Sequence, residues 1–484
     1  MYIGIDLGTS SVKLLLMEKN GNVLKTVSKD YPLEFIKETW IEQSPEYWFN
    51  SVYSGLKEII KGYEESITAL SFSGQMHGLV VLDNDDKIIR PAILWCDQRT
   101  EKECIYLNEH IGRKKMLENT GNIALTGFTL PKILWMKENE PENFLRISKV
   151  MLPKDYIAYR LSGVFATDVS DASGMLLLDV KNRKWSAEMI KISGLKEENF
   201  AKVYESYENI GCIKKEFSEK LGLNENVKII IGGGDQAIGA IGVGVVNDDY
   251  ISVALGTSGV VFANNSEYIH DKKGRLHSFC HASGRYHQMG VILSAASCLK
   301  WWVEEINKTS DYETLIKEAE KSEAKDLYFL PYLVGERTPH NDVNIRGAFI
   351  GLNINHKIGD MTKAVLEGVA FALRDSYEIL KEMNIKSKTI RLSGGGARNI
   401  LWREIICNVF NLKTEIVNSL EGPAFGAAII ASVGDGVYRD VDEACSIIIK
   451  PLEKLYPNDE LVKNYNKKYS QFKKLYPILK EFYN

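Results

Sequence analysis

Short apolar runs alternate with amphipathic helical segments along the whole chain. Residues 1–7 and 12–17 are apolar runs of strand length, and the Asn-Gly dipeptide that follows them is a strong hairpin signal. Residues 45–61 and 361–383 instead repeat apolar side chains at helical spacing, which predicts one helix in each segment. Strands that alternate with helices in this way predict an α/β fold with mixed sheets.

The strand and turn that open the chain recur near its middle. Tyr2–Val12 and Tyr250–Val260 share Tyr, Ile, Leu, Gly, Thr, Ser and Val in register, and the copies open two near-equal halves of the 484 residues. Asp6 of the first copy is replaced by Ala254 in the second, so a carboxylate stands in one copy only. We infer a duplicated domain, with a ligand held between the two copies.

The domain boundary is expected close to residue 245, and no low-complexity linker separates the halves. On this interpretation residues 1–245 form the N-terminal domain and residues 246–484 the C-terminal domain. Residues 100–225 carry a mostly helical pattern, which we interpret as an insertion into the N-terminal core.

Composition and charge are those of an ordinary globular enzyme. Hydrophobic residues make up 45% and charged residues 26% of the sequence, and the formal net charge is -4 without a block of like charges. This gives no electrostatic case for binding nucleic acid or an anionic membrane. The seven cysteines lack paired spacing, which favours reduced thiols and a cytoplasmic location. We also expect no signal peptide and no membrane span, because the longest apolar runs are too short.

The two copies of the Gly-Thr-Ser turn are candidate phosphate-binding loops. Gly8 and Gly256 allow the backbone to approach an anion closely, and the hydroxyls that follow can donate to phosphate oxygens. Asp6, at a strand's end, can hold Mg²⁺ for phosphoryl transfer. The alternatives are a turn capped by Asp6 and a structural turn left over from duplication. The chain contains no P-loop motif, so an ATP enzyme of this sequence needs another phosphate-binding scheme.

Two further glycine turns are candidate ligand loops. Gly232–Asp235 places a carboxylate after three glycines, and Asp235 can accept the proton of an attacking hydroxyl. Ser393–Arg398 joins a predicted strand to a predicted helix and can hold a flat base or a ribose against bare backbone. The alternatives are a helix-capping role for Asp235 and a tight structural connection at 393–398.

Polar side chains cluster in Gly74–Gly78 and Trp95–Arg99 of the first half. A buried polyol needs several donors and acceptors, because each of its hydroxyls must be paired. The cluster supplies glutamine, histidine, aspartate and arginine, although a satisfied core histidine and surface loop charges are the alternatives. His277–His281 lacks the second group of ligands that zinc sites require, so we interpret it as a buried strand.

Longer motifs resemble the FGGY family of carbohydrate kinases, of the actin-like ATPase superfamily. Gly127–Asn139 resembles the first family signature, and Gly347–Leu352 with Asp360–Glu367 resembles the second. The resemblance runs through nearly the whole chain. It implies two actin-like (ribonuclease H-like) domains around a cleft, with the sugar held by the first domain and the nucleotide by the second. Five segments resemble the members that act on D-xylulose: Gly74–Gly78, Arg90–Trp95, Leu152–Tyr156, Ser170–Gly174 and His277–His281.

The resemblance implies transfer of a phosphoryl group from ATP, with Mg²⁺, to D-xylulose to give D-xylulose 5-phosphate. Asp235 acts as the base in that scheme, and Asp6 acts on the Mg²⁺ and phosphate side. The candidate sugar-binding residues, from the polar cluster and the resemblance together, are Gln75, Met76, His77, Trp95, Asp97 and Asp235. The candidate nucleotide-binding residues are Thr9, Ser10, Gly256, Thr257, Gly394, Gly395, Gly396, Ala397 and Asn399.

Alternative functions stay open at this point. The same chemistry can serve another ketose or polyol, such as ribulose, fuculose, gluconate or glycerol. A non-sugar actin-like ATPase would hydrolyse ATP whether or not a sugar is present. A sugar-responsive repressor would need a helix-turn-helix module, for which we expect no room before the first strand. The sequence also leaves open whether the chain forms a homodimer.

Overall fold

The computed structural model describes residues 1–322, 325–419 and 422–483 and contains two large sheets with helices packed against them. Turns of π type, at Tyr106–Gly112 and Trp301–Ile306, extend α2 and α11. The strands are β1 (Tyr2–Leu7), β2 (Ser11–Met17), β3 (Val23–Asp30), β4 (Glu34–Lys37), β5 (Trp40–Gln43), β6 (Ala69–Gly74), β7 (Val80–Leu82), β8 (Ala92–Ile93), β9 (Lys149–Met151), β10 (Ala166–Asp168), β11 (Leu178–Asp179), β12 (Lys184–Trp185), β13 (Lys202–Tyr204), β14 (Asn209–Cys212), β15 (Lys228–Gly234), β16 (Tyr250–Leu255), β17 (Gly259–Asn265), β18 (His277–Cys280), β19 (Tyr286–Ile292), β20 (Tyr328–Leu330), β21 (Ala348–Ile350), β22 (Thr389–Ser393), β23 (Lys413–Val417) and β24 (Pro451–Leu455). The helices are α1 (Pro45–Ile59), α2 (Glu101–Ile105), α3 (Arg113–Thr120), α4 (Thr129–Asn139), α5 (Pro141–Leu145), α6 (Pro153–Ser162), α7 (Val169–Ala172), α8 (Ala187–Ser193), α9 (Lys215–Leu221), α10 (Asp235–Gly242), α11 (Ala296–Lys300), α12 (Tyr312–Glu320), α13 (Ile358–Glu382), α14 (Ile400–Phe410), α15 (Gly422–Gly434), α16 (Val441–Ile448) and α17 (Asp459–Tyr483).

The two large sheets repeat one topology. The first has the strand order β14-β15-β6-β1-β2-β3, and the second has the order β18-β19-β17-β16-β22-β23-β24. In each, the duplicated strand (β1 or β16) pairs antiparallel with the next strand and parallel with a later one. Asp6 lies opposite Ser73 and Ala254 lies opposite Ser393, so the register is also repeated. The duplicated α/β fold predicted from the repeat is therefore confirmed.

The predicted amphipathic helices pack their apolar faces on these sheets. Trp48, Val52 and Leu56 of α1 are fully buried, and so are Val365 and Val369 of α13. Complete burial of one such aliphatic side chain contributes roughly 1.5–3 kcal/mol. The apolar faces of α1 and α13 fix these helices against their sheets. The loops at the carboxyl ends of the central strands are left free to line a cleft.

The insertion into the first half contains strands as well as helices. The sequence predicted a mostly helical segment between residues 100 and 225, and helices α2 to α9 lie there. Six short strands, β9 to β14, also lie there and were not predicted. They were missed because a strand of two to four residues is too short to produce a recognisable alternation of apolar and polar side chains.

Small residues let two helices join the halves at close range. Helix α10 of the first half packs against α15 of the second, and α15 also covers β1 and β6. A Cβ atom on Gly242 would overlap the carbonyl oxygen of Gly422, and one on Gly426 would overlap that of Ile238. Glycine is required at both positions for this backbone approach. Because Asp235 is the first residue of α10, this helix pair also sets where its carboxyl group lies.

The described helices include none with both the length and the apolar character that a bilayer crossing requires.

Candidate active site

Two glycine turns of the second half pack against each other. Gly394 has φ of 83°, and a Cβ atom on it would lie 2.6 Å from the carbonyl oxygen of Leu255. The carbonyl oxygen of Gly256 accepts a hydrogen bond from the Ala296 amide at 2.8 Å, and that of Thr257 accepts one from the Ala295 amide at 2.9 Å. These contacts tie the loop after β16 to the start of α11 and leave the Thr257 side chain exposed.

A large cavity of about 740 Å³ opens beside these turns. Its walls come from α11, α12 and the start of α14, and Tyr312, Ile316 and Leu401 contribute apolar surface. Its size suits a nucleoside, since small-molecule sites typically hold roughly 300–1,000 Å³. Four predicted nucleotide-binding residues line it: Thr257, Gly395, Gly396 and Asn399. Three others line the adjoining cleft of about 600 Å³: Gly256, Gly394 and Ala397.

Asn399 caps a helix at the edge of this cavity. Its side-chain oxygen accepts a hydrogen bond from the Trp402 amide at 2.9 Å, which caps helix α14. The amide nitrogen of the same side chain is the part that can still serve a ligand.

The two predicted catalytic carboxylates influence each other electrostatically. Asp6 accepts a hydrogen bond from the Ser73 hydroxyl at 2.8 Å. Burial, and secondly the negative charge of Asp6, raise the pKa of Asp235 to about 7. Asp235 lines both the cleft and a second, smaller cavity of about 130 Å³. It therefore lies at the junction of two spaces and is poised to exchange a proton near neutral pH.

The glycines before Asp235 continue strand β15 and are not a separate turn. The pairing with β6 shifts register between Ile230 and Gly233, and Gly232 has φ of 70°. The shift is a bulge that lets the strand run directly into α10. The prediction of a turn at 232–235 is therefore wrong. The glycines let the strand bulge and continue where the sequence was expected to turn.

A buried polar network supports this bulge. The Ser170 hydroxyl accepts a hydrogen bond from the Gly234 amide at 3.1 Å and donates one to Asp168 at 2.6 Å. Lys154 lies 2.9 Å from Asp168, and all of these side chains are buried. A Cβ atom on Gly233 would collide with the Ser170 hydroxyl. Lys154 and Ser170 belong to segments 152–156 and 170–174, which the sequence singled out only by resemblance, whereas Asp168 was not singled out.

The smaller cavity contains four of the predicted sugar-binding residues. Met76, His77, Trp95 and Asp235 line it together with Phe128. The Trp95 indole donates a hydrogen bond to the Thr9 hydroxyl at 3.0 Å, so the turn after β1 supports this wall. Ser10 lies in the same turn and is exposed.

His77 is held as a neutral acceptor. Its Nδ1 lies 2.8 Å from the carbonyl oxygen of Gly174, which only accepts, so Nδ1 carries the hydrogen. Burial, and secondly the charge of Lys132, hold the pKa of His77 well below its ordinary value. The backbone of His77 is fixed as well, because Lys132 Nζ donates to its carbonyl oxygen at 2.8 Å. Nε2 is thus left without a hydrogen and can accept one from a sugar hydroxyl.

Gln75 and Asp97 do not line the smaller cavity. The Gln75 amide donates to the carbonyl oxygen of Gly8 at 3.2 Å and so braces the first phosphate loop. Asp97 is fully buried, and it accepts hydrogen bonds from the Ile41 amide at 2.6 Å and from Arg99 at 2.7 Å. Both residues therefore fix the loops that carry Trp95 and Thr9.

Nine residues that line the smaller cavity were not predicted to bind sugar, among them Phe128, Gln236 and Arg337. Phe128 belongs to the first family signature and Gln236 follows Asp235, so both could have been found. Arg337 lies in a polar turn whose role the sequence did not reveal. His277 stacks on Phe279 at 5.6 Å, in agreement with a buried strand. Within the described residues no three His, Cys, Asp or Glu side chains are arranged to hold a metal.

Comparison with known proteins gives the chain a family. Residues 1–242 match the N-terminal domain of the FGGY family of carbohydrate kinases, and residues 251–434 match its C-terminal domain. The xylulose kinase of Lactococcus lactis is 41% identical over 98% of this chain and 96% of its own length. Among solved structures, a xyloylose kinase from Brucella ovis has a TM-score of 0.94 at 36% identity and covers 99% of both chains. A gluconate kinase from Lactobacillus acidophilus has a TM-score of 0.95 at 28% identity, covering 100% of this chain and 98% of its own.

The family models cover both halves of the chain, and each half carries one of the two duplicated sheets. The smaller cavity and the cleft are lined by residues of both halves, whereas the large cavity lies in the second half and adjoins the cleft. The protein is thus a carbohydrate kinase, and the chain belongs to the FGGY family.

Proposed function

We propose that this kinase transfers the terminal phosphoryl group of ATP to the C5 hydroxyl of D-xylulose, which yields D-xylulose 5-phosphate and ADP. The full-length similarity to xylulose kinases supports this choice of sugar. The observation that supports phosphoryl transfer between the two sites is that one loop joins them. Thr257 lines the large cavity, and the next residue, Ser258, lines the smaller cavity. A nucleotide in the first and a sugar in the second meet at Asp235.

Asp235 acts as the general base in this proposal. The pKa of about 7 leaves a large fraction of the carboxyl ionised at neutral pH, so it can take the proton as the sugar oxygen attacks phosphorus. Met76 and Phe128 exclude water from one side of the sugar, and His77 Nε2 accepts a hydroxyl hydrogen. Most of the rate enhancement comes from positioning and from stabilised charge.

Asp6 is proposed to hold Mg²⁺ on the phosphate side. Burial, and secondly the negative charge of Asp6, raise the pKa of Asp235, so a cation near the two carboxylates and the phosphates would be well placed. Mg²⁺ usually takes one or two protein carboxylates and fills its other positions with water and phosphate oxygens, which fits a site with few protein ligands. Bound there, the ion would neutralise charge on the transferred phosphoryl group.

The nucleotide is proposed to span the large cavity and the cleft. The base and ribose lie against Gly395, Gly396 and Asn399, and the phosphates run along Gly256 and Thr257 towards Asp235. Bare backbone at the glycines allows this close approach. The loops at Thr9 and Ser10 approach the phosphates from the opposite half.

A sugar panel tests the substrate. ADP release is measured with D-xylulose, ribulose, fuculose, gluconate and glycerol, each with ATP and Mg²⁺. We expect the highest kcat/KM with D-xylulose. A higher kcat/KM with gluconate would replace the proposal by the second candidate. That candidate is favoured by the gluconate kinase structure and by Arg337, whose guanidinium has no hydrogen-bond partner in the described part of the chain. ATP hydrolysis that ignores every sugar would reject both.

A further inference from the structure

Arg337, a residue of the second half, places a positive charge in the smaller cavity. It lines the cavity together with Met76, His77 and Phe128 of the first half. Among the described residues, no carboxylate or carbonyl group hydrogen-bonds to its guanidinium. The adjacent Glu336 attracts this charge but does not hydrogen-bond to it, because its carboxyl oxygen accepts from the backbone amides of Leu293 and Arg337 instead.

The backbone around Arg337 is fixed before any ligand binds. Thr338 donates its amide hydrogen to the carbonyl oxygen of Val291 at 3.0 Å and accepts from the Val291 amide at 3.1 Å through its hydroxyl. Glu336 and Asp342 also exchange two backbone hydrogen bonds of 2.8 Å. This turn is therefore anchored to the end of β19, and the guanidinium is presented on a rigid support.

Arg337 is partly buried, and a guanidinium without a partner is costly there, because partial loss of solvent leaves its charge uncompensated. Burial accordingly lowers the pKa of Arg337. A ligand that supplies hydrogen-bond acceptors to this guanidinium would explain why the charge is placed there. A guanidinium has five donors in a fixed fork and no acceptor, so it suits a carbonyl oxygen with a neighbouring hydroxyl.

The charges in the cavity indicate which end of the sugar Arg337 faces. The positive charge of Arg337 helps to lower the pKa values of His77 and His277, whereas the carboxylate that acts on Asp235 is Asp6. Arg337 and His277 also line a neighbouring cavity of about 120 Å³ that Asp235 does not reach, so Arg337 lies on the histidine side. In D-xylulose the C5 hydroxyl and the C1–C2 group are at opposite ends of the molecule.

We propose that Arg337 binds the C2 carbonyl oxygen and the C1 hydroxyl of the ketose, so that the second half of the chain helps to select the sugar. This inference rests on the proposed function and names a specificity residue for the same site. It also means that the sugar contacts both halves, with the histidine wall on one side and Arg337 on the other.

The test compares Arg337→Met and Arg337→Lys with the wild-type enzyme. Methionine keeps the length of the side chain and removes its donors. We expect the KM for D-xylulose to rise about 10- to 100-fold in Arg337→Met, as for loss of hydrogen bonds from a charged group, and the KM for ATP to change less than twofold. Arg337→Lys keeps the charge without the fork and should recover part of the loss. The control is Arg113→Ala, because Arg113 lines only a neighbouring cavity of about 120 Å³ that shares Arg337.

A substrate lacking the C1 hydroxyl separates direct contact from a structural role. With 1-deoxy-D-xylulose, the factor by which Arg337→Met raises KM should be at least fivefold smaller than with D-xylulose. Equal factors for the two sugars, or an unchanged KM for D-xylulose, would overturn the proposal. A lower melting temperature of Arg337→Met with an unchanged KM would also overturn it. We expect the melting temperature to stay the same or rise, because the substitution removes a charge without a hydrogen-bond partner among the described residues. If the wild type prefers another sugar, the proposed function fails, and the KM of Arg337→Met for that sugar still decides whether Arg337 binds it.

Discussion

At the residue scale, the protonation of Asp235 links the structure to the pH dependence of the reaction. Its pKa is raised to about 7, so the carboxyl group is protonated and inactive as a base below that pH. We expect kcat/KM for the sugar to fall about tenfold for each pH unit below 7 and to level off above it. The measurement is the pH profile of kcat/KM between pH 5 and 9. A flat profile from pH 5 to 7 would speak against a titrating base with this pKa.

A second residue-scale prediction concerns Ser170, which holds the Gly234 amide and Asp168. Ser170→Ala removes both hydrogen bonds, so we expect a loss of roughly 1–3 kcal/mol in the free energy of unfolding. We also expect kcat to fall about tenfold, because the bulge that carries Asp235 loosens. Ser173→Ala is the matched control: the Ser173 hydroxyl donates to Val169 at 2.7 Å, away from the bulge. Urea unfolding and kcat are measured on both variants, and equal effects on kcat would reject the positioning role.

At the residue scale, the sequence predicted features of the backbone, such as glycine loops, better than it predicted which way a side chain points. Glycine runs in the sequence marked the loops at Gly256 and Gly394 and drew attention to Asp235, although the expected turn at 232–235 is a bulge in a strand. Gln75 and Asp97 were expected to bind sugar, yet they brace loops, since a list of polar residues does not reveal which side chains turn inward. Arg337 was missed for a related reason, because its turn is brought to the site by tertiary packing.

At the element scale, the contact between α10 and α15 controls both stability and the placement of the base. Gly242→Ala puts a Cβ atom onto the carbonyl oxygen of Gly422, so we expect the helices to separate at a cost of about 1–3 kcal/mol or more. Gly239→Ala is the control on the same helix, since its Cβ atom would lie 3.5 Å from the nearest atom of Pro423. Thermal unfolding should show a lower melting temperature for Gly242→Ala only. A similar loss in both variants would mean that the contact of Gly242 with Gly422 does not explain the need for glycine.

Long elements were predicted and short ones were not. Helices α1 and α13 were expected from apolar spacing, and they begin and end within a few residues of the predicted limits. Strands of two to four residues in the insertion give too little alternation to be recognised. The crossing of α15 onto β1 was also not predictable, because the partner of an Ala- and Gly-rich helix is set by the three-dimensional packing.

At the scale of the whole molecule, candidate groups from both halves face one cleft, which implies that the halves close on their ligands. Closure would exclude water, which otherwise competes for the phosphoryl group. We expect the radius of gyration to fall when D-xylulose and a non-hydrolysable ATP analogue are both present, and less with either alone. Small-angle X-ray scattering provides this measurement. An unchanged radius with both ligands would show that catalysis needs no closure.

The duplicated architecture was accessible from sequence because a strand and turn are repeated almost unchanged, and the sheets repeat their order and register. The relative position of the halves was not accessible, since it depends on glycine contacts between distant segments. The division of labour between a sugar half and a nucleotide half stays a prediction, and Arg337 already qualifies it by reaching across.

The central claim is that Asp235 removes the proton from the sugar hydroxyl at the junction of the two cavities. The most direct measurement is kcat and KM of Asp235→Ala with D-xylulose and ATP, together with its thermal unfolding. The account predicts a fall in kcat of about 10²- to 10⁴-fold, with the fold and sugar binding largely intact. A variant that keeps more than half of the wild-type kcat would contradict it.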